Sequence, residues 1–212
     1  MSSFERFVEG CWALTKETVT RAKQDIPFTF IGHDVSGRHH LLVAPKYADK
    51  RQFYRVLLFG YCQTYNIRMY AVASSAWLRL VSRPTGMSNE EFRKLGASGP
   101  SPSKAPDRID ALVLSARSEE FAHHAVLQVL NTDDDYRLVP IEGRDPTTLA
   151  RGDAYFHQWI DDSPLLRLTD FSGVTAPQSA AQLMSPHLIK QFFQVIAIAS
   201  PDVEKFFNPS DN

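Results

Sequence analysis

The chain has 212 residues, of which 43% are hydrophobic and 11% aromatic, a composition that is typical of globular proteins and excludes a fibrous one. Its 23 basic and 24 acidic residues are scattered and give a formal net charge of −1, so we expect no broad nucleic-acid surface. No apolar run approaches the roughly 18–20 residues of a membrane-spanning helix, and the first residues do not form a secretory signal. These features predict a cytoplasmic protein that does not enter a membrane.

The N-terminal residues predict a long helix followed by a β-hairpin. Ser2 and Glu5 have the spacing of a capping box, and apolar residues then recur at helical intervals up to about Pro27. Residues 28–33 and 39–44 are strand-like and flank a polar loop that contains glycine.

The next segment predicts a second helix, a strand, a long loop and three further strands. The helix begins after Asp49 and ends near Asn66, and a strand follows over residues 68–80. Residues 82–107 are rich in proline and glycine, which favours a mobile loop. The strands of an antiparallel meander are then expected at 109–116, 121–130 and 136–141.

The C-terminal residues predict helices. Ser185 and Ser200 each precede a proline, which is the pattern of a helix start. A helix over residues 188–199 would have apolar side chains outside a single stripe, so either the whole helix is buried within its own chain, or one surface packs on its own domain and another binds a partner. The candidate interaction residues are Leu188, Ile189, Phe192, Phe193 and Ile196.

Taken together, these elements predict an α+β fold with a mostly antiparallel sheet and two helices packed on one face. The α+β domain covers residues 1–142, and residues 143–212 form a C-terminal extension that ends in helices. Cys11 and Cys62 lie in separate helical patterns, so buried thiols are expected rather than a disulfide.

Histidine and aspartate residues provide the candidates for chemistry. A metal site could use His33, one residue of the pair His39 and His40, and one residue of the pair His123 and His124, if their strands are neighbours. The sequence lacks a CxxC, HExxH or P-loop motif, and we expect no cofactor and no bound metal.

A second group of candidates lies around Asp107 and Asp110. They resemble part of a nuclease motif, but the lysine of that motif is missing, since Ala111 follows Asp110. In the structural interpretation, Arg108 pairs with a carboxylate at the margin of the sheet and Trp77 fills the core.

Two short motifs resemble an uncharacterised group of bacterial and phage proteins. In that group a strand that ends in Ser-Glu-Ala-Trp is followed, after a variable loop, by Pro-Asp-Arg-x-Glu and another apolar strand. The resemblance covers roughly residues 1–142 and departs from the pattern at Ser75, where the group has glutamate. It implies an architecture and a phage context, without a known activity. The matching residues are Ser74, Ala76 and Trp77 in the first motif and Pro106, Asp107, Arg108 and Asp110 in the second.

The sequence therefore leaves two hypotheses for function. The first is a non-catalytic binding or assembly protein, phage-encoded and either virion-associated or host-interfering, whose partner is a second copy or another protein. The second is a metal-dependent hydrolase or nuclease that uses Asp107, Asp110 and some of the five histidines. Convergence of these side chains in one pocket would distinguish them.

Overall fold

The described residues of the chain fold into a seven-stranded antiparallel sheet with helices on its two faces. The computed structural model describes residues 1–46, 51–78, 85–88, 90, 91, 94, 104, 106, 108–132, 135–141 and 186–208. The elements in chain order are α1 (Ser3–Ala22), β1 (Phe28–Asp34), β2 (His39–Ala44), α2 (Arg51–Thr64), β3 (Ile67–Leu78), β4 (Ile109–Arg117), β5 (Ala122–Thr132), β6 (Asp135–Pro140), α3 (Pro186–Phe192), β7 (Val195–Ile198) and α4 (Pro201–Glu204). The predicted α+β class and antiparallel sheet are confirmed.

The strands lie in the order β6-β5-β4-β3-β1-β2-β7. Strands β4, β5 and β6 form the predicted meander, and β3 precedes it, so that each strand from β3 to β5 pairs with the one that follows it. The β1–β2 hairpin lies beside β3, because α2 returns the chain from the end of β2 to the far side of β1. Strand β7 pairs antiparallel with β2 and is the last strand on this side of the sheet among the described residues.

Helix α1 begins and ends as its sequence predicts. The side chain of Ser2 accepts a hydrogen bond from the Glu5 amide at 3.2 Å, and the Ser2 amide donates to the Glu5 carboxylate at 2.6 Å. This capping box satisfies amides that the first helical turn leaves without partners. The helix ends at Lys23, whose backbone is left-handed with φ 48° and whose amide donates to the Val19 carbonyl.

The two long helices pack on opposite faces of the sheet, so the prediction of two helices on one face was wrong. Phe30 of β1 is buried in a cluster that contains Tyr61 of α2. Its neighbour Ile31 is buried in a second cluster that contains Phe7 and Cys11 of α1. Consecutive side chains of a strand point to opposite faces. We call these faces the α2 side and the α1 side.

The segment predicted as one helix over 188–199 is a short helix followed by a strand. Helix α3 ends at Phe192, and β7 begins at Val195. Val195, Ile196 and Ile198 are β-branched, which favours a strand, and β2 offers them backbone partners along its open edge. The predicted start at Ser200 is confirmed, because α4 begins at Pro201.

Both cysteines are free and buried, as predicted. Cys11 belongs to the α1 side and Cys62 to the α2 side, so the sheet separates them. Loss of solvent raises the pKa of both thiols. These thiols therefore remain protonated and unreactive at neutral pH.

Several predictions fall on residues that the structure does not describe. They are most of the loop 82–107, Asp107, residues 143–185 and the side chain of Leu188. Within the loop, the Glu91 amide donates to the Ser88 side chain at 3.2 Å. None of the described helices has the length and apolar character required to cross a membrane.

Candidate functional site

The tip of the β1–β2 hairpin is organised by the buried carboxylate of Asp34. One carboxylate oxygen accepts hydrogen bonds from the Ser36 amide at 2.8 Å and from the Arg38 amide at 3.1 Å. The other accepts from the Arg38 side chain at 2.8 Å. Burial alone would raise the pKa of Asp34, but hydrogen bonds from Ser36, His40 and Arg38 outweigh it and hold this pKa well below its usual range.

On the α2 side, Asp34 continues into a buried chain of hydrogen bonds. The Nε2 atom of His40 lies 3.0 Å from the Asp34 carboxylate, and Nδ1 lies 2.8 Å from the Tyr61 hydroxyl. An ionised carboxylate only accepts hydrogen bonds, so Nε2 carries the proton and Nδ1 accepts from Tyr61. Burial lowers the pKa of His40 and raises that of Tyr61. This chain connects the hairpin to α2.

On the α1 side, a second chain of hydrogen bonds joins His33, His39 and Glu204. His33 and His39 are opposite each other in the β1–β2 register, and His33 Nδ1 lies 3.0 Å from His39 Nε2. His39 Nδ1 lies 2.7 Å from Glu204 Oε2, and the His39 amide donates to Glu204 Oε1 at 2.9 Å. We call these three residues the His–Glu relay. Glu204 belongs to α4 and lies 165 residues after His39 in the sequence.

The segment that carries Glu204 is held against α1 by aromatic contacts. The Phe207 ring stacks on the His39 ring with 3.8 Å between centroids, and it also stacks on Phe7 of α1. The contact requires glycine at position 10, because a Cβ atom there would overlap the Phe207 ring and lie 3.0 Å from the Phe206 carbonyl oxygen. Gly10 thus permits α1 and the C-terminal segment to approach closely.

Strand β7 exposes apolar side chains beside this cluster. Val195 is 42% exposed, Ile196 37% and Ile198 38%. Among the residues that the structure describes, β7 has a neighbouring strand on one side only. Exposed apolar edge strands are available for pairing with another chain.

The predicted interaction residues are divided between core and surface. Ile189 and Phe193 are buried in the α2-side cluster, and Phe192 packs against it. Ile196 of β7 is exposed. Ile189 and Phe193 therefore pack on the chain's own core and Ile196 is at the surface, while a role of these residues in binding a partner stays a prediction.

The histidines do not converge as the metal hypothesis requires. His33 and His39 lie on the α1 side, whereas His40 lies on the α2 side, where it contacts Tyr61. His123 and His124 are on β5, which β3 and β4 separate from β1, and His124 approaches Ser115 at 3.1 Å. No group of three metal-binding side chains occurs within the described part of the chain.

Trp77 is on the surface, which contradicts its predicted place in the core. It is 47% exposed, and the guanidinium of Arg108 lies over its ring at 5.0 Å from the centroid. Along β3, the part of the α1 side that other residues cover extends as far as Ser75, whose side chain accepts a hydrogen bond from the Ile26 amide at 2.9 Å. Trp77 lies two residues beyond that point, opposite the exposed Asp110. Asp110 is far along the sheet from the hairpin histidines, at the opposite end of β3.

Sequence reasoning found His33, His39 and His40 but not their partners. Glu204, Phe207, Tyr61 and Asp34 were absent from the predicted site residues. For Glu204 and Phe207 no local signal exists, because their contacts to β2 depend on the pairing of β7. For Asp34 the signal was its position in a polar hairpin loop before serine and glycine, where aspartate commonly accepts hydrogen bonds from the turn.

We predict that the free energy of unfolding decreases as the pH falls below about 6.5, the ordinary pKa of histidine. Burial lowers the pKa of His33, His40 and His123 in the folded protein. The unfolded chain then binds more protons between the ordinary and the lowered values, so acid favours unfolding. Thermal melts between pH 7.5 and 5 test this prediction.

The His123→Gln variant tests whether His123 contributes to this pH dependence of stability. His123 has a buried Nε2 atom without a hydrogen-bond partner. His123→Gln is therefore expected to flatten the fall in melting temperature. A wild-type melting temperature that is constant or rises with acid would contradict the assignment.

Comparisons with protein-family models, curated proteins and solved structures show no significant similarity between this chain and any of them.

Proposed function

We propose that this chain is a non-catalytic binding or assembly protein that associates with a second copy of itself through the free edge of β7. The observation that carries this proposal is the exposure of Val195, Ile196 and Ile198 on the last strand that the structure describes at this side of the sheet. The strand itself contains no charged residue and no proline, the residues with which proteins commonly protect a sheet edge. The phage context that the sequence resemblance implies is part of the same proposal.

The hydrogen bonds of β7 determine which backbone groups are available. The Ala199 amide donates to the His39 carbonyl at 2.8 Å, and Ala197 is opposite Leu41 two residues along each strand. In an antiparallel ladder, alternate residues bond to the same neighbour. Ile196 and Ile198 therefore direct their N–H and C=O groups away from β2, towards the free edge.

A twofold pairing of two β7 strands satisfies these groups. If the axis passes beside Ala197, Ile196 pairs with Ile198 of the second copy, and each pair exchanges backbone hydrogen bonds. Ile196 and Ile198 share one face, because they are opposite Leu42 and His40 of the α2 side. Four isoleucine side chains would then meet across the axis, an arrangement in which β-branched pairs stabilise a sheet.

The size of the edge limits the strength of this association. The strand spans four residues, ends at Ala199 with φ 50°, and is followed by Pro201, which cannot donate a hydrogen bond. Such a contact belongs to the small class of interfaces that bury less than about 1,200 Å². We therefore expect a reversible dimer that forms at high protein concentration.

Sedimentation velocity from about 1 to about 300 µM tests the association, because this range covers dissociation free energies of about 5–8 kcal/mol. Wild-type protein should dimerise, and Ile196→Lys should remain monomeric. Leu130→Lys is the matched control, since Leu130 is 36% exposed on β5 and distant from this edge. A monomeric wild type, or a dimer that Ile196→Lys leaves intact, would reject the proposal.

Cross-linking tests the register. At a twofold axis beside Ala197, the Ala197→Cys variant brings two thiols together in a non-hydrogen-bonded pair, with Cα atoms about 4.5 Å apart. Oxidation should then give a covalent dimer, while the buried Cys11 and Cys62 do not react. Val195→Cys, on the same strand and face, should cross-link much less. Equal cross-linking of the two variants would reject this register.

A further inference from the structure

We propose that the Nε2 atom of His33 is a nucleophilic site for neutral, activated acyl compounds, and that the His–Glu relay prepares it for this reaction. This inference concerns the α1 side of the hairpin and is independent of association through β7. It rests on the hydrogen bonds between His33, His39 and Glu204 and on the position of the His33 ring.

The relay fixes the protons of both imidazole rings. Both oxygens of Glu204 accept hydrogen bonds from His39, one from its amide at 2.9 Å and one from Nδ1 at 2.7 Å. With the proton of neutral His39 on Nδ1, its Nε2 atom is an acceptor, and His33 Nδ1 must donate to it across 3.0 Å. A neutral His33 then has its lone pair on Nε2.

The His33 ring is half-buried and therefore partly open to solvent, whereas the Nε2 atom of His123 is buried. Burial and the nearby His39 lower the pKa of His33, which keeps the ring neutral and nucleophilic at pH 7.

The surrounding groups can stabilise the charge that develops during attack. His33 Nε2 attacks the carbonyl carbon and forms an N–C bond, while the leaving group departs with the electrons of its C–O bond. The proton on His33 Nδ1 passes to His39 Nε2, and the resulting imidazolium faces the Glu204 carboxylate. The products are an acyl-imidazole at His33 Nε2 and the free leaving group.

The charges near His33 favour a neutral substrate. Asp34 and Glu204 are the acidic groups that act on it, and His39 and His40 are the basic ones. Asp34 is already paired with Arg38. An anionic phosphoryl donor would meet two carboxylates here, whereas an uncharged ester does not experience this repulsion.

The probe is p-nitrophenyl acetate with the full chain at pH 7.5, and the readouts are p-nitrophenolate release and the acetylated residue by mass spectrometry. We expect acetyl transfer to His33 and a loss of at least about tenfold in rate in His33→Asn, whose amide can still donate to His39. His123→Asn is the matched control and should retain the wild-type rate. Equal rates in wild type and His33→Asn, or acetylation of another histidine, would overturn the proposal.

Glu204→Gln tests the relay without removing its hydrogen bonds. The glutamine oxygen must accept from the His39 amide, so its NH₂ group faces Nδ1 and donates to it. The proton of His39 then lies on Nε2, which donates a hydrogen bond to His33 Nδ1. Because His33 Nδ1 is now an acceptor, the proton of neutral His33 lies on Nε2. Nitrogen-15 NMR should show both tautomers reversed, with a rate at least about tenfold lower. Reversed tautomers with an unchanged rate, or a slower rate with unchanged tautomers, would overturn the relay mechanism, and this variant decides the question if His33→Asn does not fold.

Discussion

Replacing Asp34 with alanine is expected to lower the free energy of unfolding by about 3–5 kcal/mol, because the substitution leaves His40 and Arg38 without their carboxylate partner. The Asp34 side chain has no exposed surface and accepts hydrogen bonds from Ser36, Arg38 and His40. Loss of one member of a buried polar network leaves the others without compensation for their lost water. The value is measured by urea denaturation at pH 7 with linear extrapolation.

Asp110→Ala provides the comparison for Asp34→Ala. Asp110 is an exposed aspartate on β4, and its removal should change stability by no more than about 0.5 kcal/mol. The pH dependence gives a second check. A lowered carboxyl pKa stabilises the fold above the ordinary value and ceases to do so as the pH falls towards the lowered one. The difference between wild type and Asp34→Ala should therefore shrink in strong acid, and a loss below about 1 kcal/mol at pH 7 would contradict the structural role.

Local patterns in the sequence predicted the elements of the first 141 residues because their signals are themselves local. The Ser2 and Glu5 capping box depends on spacing within one helical turn, and it forms as expected. The hairpin strands follow from apolar runs on either side of a polar loop with Gly37, whose φ is 87°. Short loops then make neighbouring strands antiparallel without further information.

The sequence could not show on which face of the sheet each helix packs. The apolar stripe of α1 or α2 shows that each helix must be covered, but both faces of β1 are apolar and either could accept it. Phe30 packs on the α2 side and Ile31 on the α1 side, with neither exposed to solvent. The face that each helix covers depends on the connections between the elements. The periodicity of apolar residues gives no information about these connections.

The candidate site was only partly predictable for a related reason. The histidines of the hairpin are adjacent in sequence, so their register could be anticipated, but the relay also needs Glu204 from α4. That contact follows from the pairing of β7 with β2. Short apolar runs fit a helix or a strand equally well, and the tertiary partner decides between them. Because residues 195–198 were predicted as part of a helix, neither the edge strand β7 nor the contact of Glu204 with His39 was predicted.

The same substitution at two isoleucines should separate the core position of α3 from the surface position of β7. Ile189→Lys is expected to lower the free energy of unfolding by about 3–5 kcal/mol, because it removes a buried side chain and places an ammonium group among Tyr54, Leu58 and Phe193. Ile196→Lys should cost less than about 1 kcal/mol, since this side chain is 37% exposed. Urea denaturation below the concentration of dimer formation measures both values without a contribution from association. If Ile189→Lys instead retained wild-type stability and prevented self-association, then α3 would present Ile189 to a partner, and the interface would be the helix rather than the edge of β7.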